Sequence, residues 1–333
     1  MSEASPLSAA QQVFAAAVPF RAVAEDSCAL ADAVGRTLYG DVIAPTDMPP
    51  YHRAIVEGFI VHTQDTAAAS EDNPVSFSIA GMIKPGDERC PVFKQGEALE
   101  VATGVVVPDG PYSIVRMWEA KREDDRFSIT RPFPPRFFIE DQGCDLKKGD
   151  VVVSAGTVIG AAELGSVAAL GITRLPVARR PQVMVFSCGD EVIAYDQALR
   201  PGLIRDSNSV MLCAAVGVAG GDAHGGGILR DDFDVVVAAA RSALEKADML
   251  VFSGGTAAGG GDFISKLVRT LGELLVDGVP MRSGRPLIMG VAAGKPIVCV
   301  AGHPPEALRG FRLFGVPALN RLLGRELPLP EDN

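Results

Sequence analysis

Polar and apolar positions change rhythm along this chain. Residues 8–17 (SAAQQVFAAA) carry helical spacing, with Ser8 as the expected N-cap and Pro19 beyond the end. Residues 25–36 (EDSCALADAVGR) predict a second short helix, followed by the extended LYGDVIAP. From about 46 to 146, short apolar pieces such as AIVEGFIVH, VSFSIAG, ALEVATGVVVP and YSIVRMWEA alternate with turn-rich connections, which predicts a β-rich module. RPFPPRFF, stiffened by proline, reads as a connector. A helix is expected from Ala161 to Leu170, stopped at Gly171.

Past Pro181 the texture alternates between helix and strand. Strands are expected at 183–188, 249–252 and 297–300. Helices are expected after Asp206–Ser209 up to Gly220–Gly221, over 234–247, from Phe263 onward and over 305–323. Short apolar strands between helices predict a mostly parallel sheet covered on both faces.

Composition narrows the function. A chain of 333 residues with 47% apolar and 22% charged residues has room for two or three packed domains. Thirty-one basic against forty-one acidic side chains leave a net charge of −10, which argues against a uniformly basic nucleic-acid binder. A small anionic ligand would have to be held by backbone N–H groups, a few local cations or a metal ion. The six cysteines form no C-x-x-C pair and the four histidines have no metal-ligand spacing, so free thiols in a reducing compartment are expected. The first residues lack a basic segment followed by an apolar core, and no apolar run reaches the ~18 residues of a membrane span, so a cytoplasmic location without membrane partners is expected.

In an α/β sheet, ligands collect at the carboxyl ends of strands. Three segments are expected there: Ser187-Cys188-Gly189-Asp190-Glu191, Ser253-Gly254-Gly255 through Asp262, and Ala301-Gly302-His303-Pro304. Glycines allow close backbone approach to an anion, although each segment alone reads equally well as a turn or a cap. For Asp206 to Ser209 the capping reading is preferred.

The order of these segments resembles the molybdopterin molybdotransferase family, that of MoeA and the gephyrin E domain. The resemblance runs from about residue 8 to 323 and is carried by GCDLKKGD, AGTVIG, RRP and SCGDEV in one continuous stretch. LIRDSNSVML, LRDD, SGGTAAGGGDF and AGHPPEAL follow, and VEGF with ATGVVVPDGPYSIVRMWE match in the β-rich module. It implies a multidomain α/β fold: a three-layer α/β/α molybdopterin-binding domain over 181–325, a β-rich domain inserted at 46–146, and a mixed linking domain made of 1–45 and 147–180. Residues 326–333 form a tail where the family usually adds a fourth, β-rich domain.

The implied activity is metal-assisted insertion of molybdate into adenylylated molybdopterin, a step of molybdenum cofactor biosynthesis, with Mg²⁺ held by oxygen ligands. The family positions correspond to Asp145, Glu191, Asp231, Asp262 and Glu57 (in place of the family aspartate) as catalytic residues, with Glu191 and Asp262 on the metal. Substrate-binding positions correspond to Thr103, Ser253, Gly254, Gly255, Arg282, Arg285, Gly302 and Pro304. The resemblance also implies a homodimer in which Glu57 and Thr103 act across the subunits on a small anionic pterin, and contacts with other cofactor-biosynthesis or molybdoenzyme proteins.

Departures from the pattern open a second reading, a non-catalytic molybdopterin-binding or scaffold protein. Glu140-Asp141-Gln142 stands where the family has a basic run, Gly278 replaces a family lysine, and one proline is lost at Ala301-Gly302-His303-Pro304. Two charge reversals predict weak molybdate capture, relieved when Glu140 and Asp141 are both changed to arginine.

Overall fold

The computed structural model describes residues 5–255, 262–279 and 287–331, with Asp262 described by its backbone alone. Arg282 and Arg285 therefore lie outside the described residues. The chain divides into two compact units. The first comprises Met1–Asp41, Val153–Ala168 and Ile172–Asn333; the second comprises Val42–Val152 and Ala169–Gly171.

The first unit is built on a six-stranded sheet: β1 (Gln182–Cys188), β2 (Asp222–Leu229), β3 (Met249–Gly254), β4 (Glu273–Asp277), β5 (Ile288–Ala292) and β6 (Lys295–Val300), in the order β2-β1-β3-β6-β5-β4. β2, β1, β3 and β6 run parallel, whereas β5 pairs antiparallel with both β6 and β4, so the sheet is mixed at one edge. Alternation along each central strand serves two cores. Val183, Val185, Met249, Val251, Val298 and Val300 face one apolar cluster, and Phe186, Cys188, Leu250, Phe252, Ile297 and Cys299 face the other.

Helices cover both clusters. α1 (Pro6–Ala17), α3 (Asn208–Val218), α6 (Pro304–Gly310) and α7 (Val316–Leu322) contribute to the first; α4 (Phe233–Leu244) and α5 (Asp262–Leu271) cover the second. A further helix, α2 (Ala161–Ala169), precedes Gly171, whose φ of +73° lets the chain turn out of it.

Several sequence expectations need correction. α1 starts two residues before Ser8, and Ser5 is its cap, its Oγ accepting from the Ser8 N–H at 3.2 Å. The helix expected over 25–36 is a strand at Glu25–Ala29 followed by a 3₁₀ turn at Leu30–Asp32. The strand pairs antiparallel with Arg174–Ala178, and that ladder overrides weak helical spacing. The single helix expected over 305–323 is interrupted by a π-helical turn at Phe311–Gly315.

The second unit contains a six-stranded sheet in the order Tyr112–Arg116, Gly58–His62, Glu97–Val101, Val75–Ile83, Arg126–Ile129, Lys121–Glu123. Alternating residues again separate two cores, Ile60, Leu99, Val101 and Ile114 on one face and Phe59, Val61, Ala98 and Val115 on the other. A two-residue ladder pairs Arg53 with Glu140 and Ala54 with Ile139. Where the chain enters and leaves this unit, the Ala44 N–H donates to the Asp150 carbonyl and the Gly149 N–H to the Ala44 carbonyl, each at 2.9 Å.

Candidate active site

The register of the first unit's sheet puts Ser187 beside Ser253, Cys188 beside Gly254, and Ser253 beside Val300, so three loops leave the sheet at one edge. Between them and the start of α3 lies a cleft of about 260 Å³, whose lining includes Ser187, Cys188, Glu191, Asp206, Asn208, Ser253, Gly254, Gly302 and Pro304. Glu191, Ser253, Gly254, Gly302 and Pro304, all expected from the sequence, therefore line one cleft. Gly255 follows directly, with φ of +71°.

Side chains of α3 tie the loops together. The Asn208 amide nitrogen donates to Ser253 Oγ and to the Gly302 carbonyl, both at 2.7 Å, and Ser253 Oγ donates to the Ala301 carbonyl at 3.2 Å. Asn208 Oδ1 is sealed from solvent without a partner among the described residues. The buried Asp206 carboxylate accepts from Ser187 Oγ at 2.8 Å and from the Ser209 N–H at 3.0 Å. It caps α3 as expected, and it also belongs to the cleft. Sequence reasoning missed Asn208, since an asparagine at a helix start reads as a capping residue.

Two glycines are required by close approach. A Cβ on Gly254, where φ is +88°, would sit 2.4 Å from the Cys188 carbonyl oxygen. A Cβ on Gly189 would sit 2.7 Å from Glu191 Oε2, so the absent side chain is what lets this carboxylate fold back over the turn.

Asp231 follows β2 and stands near Asp190 and Glu191. Burial first, then the charges of Asp190 and Glu191, push its carboxyl above the ordinary carboxylate range, against a lowering contribution from the Asp190 backbone N–H. Its Oδ1 is sealed from solvent and has no hydrogen-bond partner among the described residues. The Cys188 thiol is pushed up to about 12, mainly by burial and further by the Asp231 charge, so it stays protonated and packs as a small apolar group.

A hard divalent cation suits this donor chemistry: carboxylate oxygens, one of them orphaned, under mutual repulsion. Among the described residues, no three His, Cys, Asp or Glu side chains are arranged to hold a metal. One or two carboxylates completed by substrate phosphate oxygens is the usual arrangement for Mg²⁺. α5 begins at Asp262, whose side chain is outside the description.

The remaining expected residues lie in the second unit. Thr103 is exposed in a turn whose next residue, Gly104, donates its N–H to the Ala54 carbonyl at 2.7 Å. Neighbouring Arg53 pairs through Nε with Glu140 at 2.7 Å and through an outer nitrogen with Asp145 at 3.8 Å. Asp141 is bonded to Arg136 and lies 3.3 Å from His52 Nδ1. The acidic run is thus not a bare negative patch, because Glu140 and Asp141 each have a cation. Arg53 escaped sequence reasoning because its partner is 87 residues away. Glu57 is exposed, and its carbonyl accepts from the Met117 N–H at 3.2 Å.

A mixed α/β unit with loops and carboxylates gathered at its strand ends, in a chain that also carries a β-rich unit, defines a class of multidomain α/β protein. Its closest definition comes from known proteins. Residues 5–171 match the family model described as the MoeA N-terminal region (domain I and II), and residues 184–321 match that of a probable molybdopterin binding domain. A protein of Mycobacterium tuberculosis called molybdopterin molybdenumtransferase 2 is 33% identical over 316 residues, covering 90% of this chain and 75% of that one. A molybdopterin molybdenumtransferase of Staphylococcus epidermidis is 27% identical, covering 91% and 72%. A crystal structure of a molybdopterin biosynthesis MoeA protein from Pyrococcus horikoshii OT3 matches with a TM-score of 0.83 at 27% identity, covering 97% of this chain and 80% of that one. The chain belongs to the MoeA family.

Proposed function

We propose that this protein inserts molybdate into adenylylated molybdopterin with the help of Mg²⁺. Membership of the MoeA family makes it a transferase-like protein of molybdenum cofactor biosynthesis; the adenylylated substrate and the metal are our reading. The observation that carries it is the orphaned Asp231 carboxylate oxygen, raised in pKa by burial and by Asp190 and Glu191 at the end of the sheet.

In this reading Glu191 and Asp231 hold Mg²⁺, with Asp262 as the further candidate from the sequence. When bound, the metal supplies charge neutralisation to the phosphoanhydride as it breaks. The chain's own groups do the rest. Backbone N–H groups of the Ser253-Gly254-Gly255 turn approach the phosphate because no Cβ intervenes. Asn208 holds that turn to the Gly302 loop, keeping both at a fixed distance. Arg53, Asp145, Glu57 and Thr103 act on the substrate across a homodimer, with Arg282 and Arg285 as additional cations. Other cofactor-biosynthesis proteins are proposed partners.

No helix among the described residues is long and apolar enough to cross a membrane, and a cytoplasmic location is proposed. The test is release of AMP from adenylylated molybdopterin on addition of Mg²⁺ and molybdate, together with complementation of a strain lacking its molybdotransferase. Binding of the pterin without AMP release or complementation would favour a scaffold. Sedimentation as a monomer at micromolar concentration would remove the shared site.

A further inference from the structure

The second unit carries the chain's single tryptophan, Trp118, with 71% of its surface exposed. An indole that serves a core buries its ring; this one leaves most of it in water. It is nevertheless held from one side. The Arg116 guanidinium lies 4.9 Å from the centre of the Trp118 ring and 4.9 Å from that of Phe138, so it is shared between two aromatic faces.

The support continues inward. Arg116 Nε donates to Glu119 at 2.8 Å, and the same carboxylate accepts from Arg131 Nε at 3.1 Å. Arg131 in turn lies 4.1 Å from the Phe133 ring centre and 5.5 Å from that of Phe137, and Phe137 packs on Phe138 at 4.1 Å. Phe138 holds a φ of +57°, a conformation that side-chain-bearing residues rarely adopt. The result is a chain of contacts from Phe133 through Arg131, Phe137, Phe138 and Arg116, tied by one carboxylate and ending at an exposed indole.

Its position is also specific. The segment carrying Glu57 is hydrogen-bonded to both sides of the stack: the Ile55 N–H donates to the Phe138 carbonyl at 3.1 Å, and the Met117 N–H to the Glu57 carbonyl. An exposed carboxylate on that segment is the kind of acceptor that an exocyclic amino group seeks.

We propose that Trp118 is a stacking platform for a flat, nitrogen-rich bicyclic ring, the chemistry shared by adenine and by pterins. The proposal rests on the function proposed above, whose substrate contains both rings. Arg116, Glu119 and Arg131 act as positioning residues, fixing the ring plane in advance so that stacking orders few groups on binding. Bases stack on aromatic side chains through their faces, which any such heterocycle presents.

The full chain is titrated with AMP and, separately, with neopterin, reading tryptophan emission excited at the red edge of its absorption. Because there is one tryptophan, the emission comes from this site alone, and quenching is corrected for absorption by the ligand and read together with the calorimetry. Calorimetry then compares wild type with Trp118→Ala and Trp118→Phe. Quenching by one of the two ligands, with its binding weakened about five- to a hundredfold in Trp118→Ala and largely kept in Trp118→Phe, supports the platform and identifies the ring. Ligand binding that leaves emission unchanged, or that is equal in Trp118→Ala, overturns it, as does failure of both ligands to bind. An emission shift that follows protein concentration and ignores both ligands also overturns it, since a second copy of the chain then covers the indole. AMP release is scored independently, so an active enzyme with a silent tryptophan rejects the platform alone, and an inactive protein with a quenched one rejects the proposed reaction alone.

Discussion

Replacing Asp231 by asparagine keeps the shape of the side chain and removes the charge that Asp190 and Glu191 oppose. One carboxylate oxygen of Asp231 is sealed without a partner among the described residues, and the pKa of the carboxyl is raised chiefly by burial. A group left in that state costs about 1–3 kcal/mol, of which asparagine relieves the charge-dependent share, about 1 kcal/mol. In the metal-free protein, Asp231→Asn is therefore expected to raise the melting temperature by about 2–4 °C. The sign follows from linkage. A carboxyl with a raised folded pKa binds more protons folded than unfolded, so its contribution to stability falls as pH rises through the ordinary carboxylate value and on through the folded one. The advantage of asparagine is fully present above the folded pKa and disappears below about pH 4.

Mg²⁺ reverses the order. At ten times its dissociation constant a ligand stabilises by about 1.4 kcal/mol, or about 3–6 °C, and the variant has lost one of its ligands. Thermal unfolding with and without MgCl₂ should give crossing curves, with asparagine ahead in chelator and aspartate ahead in Mg²⁺. A variant that melts below wild type in chelator, or gains as much from Mg²⁺, would refute the assignment of Asp231 to the cation.

Three further expectations concern the surroundings. Gly254→Ala places a Cβ 2.4 Å from a backbone oxygen at φ +88° and should cost at least about 2 kcal/mol, whereas a Cβ on Gly302 meets only Gly254 Cα at 3.6 Å; denaturant midpoints of the two alanine variants should differ accordingly. Glu119, held down to about 2 by Arg116 and then Arg131, contributes stability that is complete above its ordinary 4.5 and lost as pH falls towards 2. Glu119→Gln should flatten acid denaturation in that window by about 2 kcal/mol after solvent screening, and an unchanged acid limb would contradict it. Arg53→Ala leaves Glu140 unpaired and should raise the molybdate needed for half-maximal insertion about fivefold, for about 1 kcal/mol; an unaltered titration would show that this corner does not meet the anion.

The strand ends of the first unit were legible because buried strands such as VMVFSC leave continuous apolar runs and the ligand-facing turns that follow are rich in glycine. β2 was not, because DAHGGGIL spends three of eight positions on glycine and sits at the sheet edge, where apolar residues are not demanded. β4 and β5 escaped for a related reason, both being short, with β4 at the opposite edge and β5 running against its neighbours. At the site, Glu191, Ser253, Gly254, Gly302 and Pro304 could be named from local pattern. Asn208 and Arg53 could not, since what matters is their partners: a serine and a carbonyl on other loops for one, and a glutamate across a two-residue ladder for the other. The penalty expected from Glu140 and Asp141 shrinks on the same ground, because a count of charges along the chain omits the cations that folding brings to them.

The paired backbone of Ala44, Gly149 and Asp150 has a genetic consequence. A segment of more than a hundred residues leaves and rejoins the chain through a single hydrogen-bonded doorway. An in-frame deletion bridged there by a tight turn would remove the continuous inserted segment while leaving Ala169–Gly171 in place, and a gene fragment cut at the same doorway would carry that segment away with its two ends already side by side. Such a junction makes the β-rich unit a cassette that can be exchanged between relatives by two recombination events, while the sheet that holds the cleft keeps its own cores.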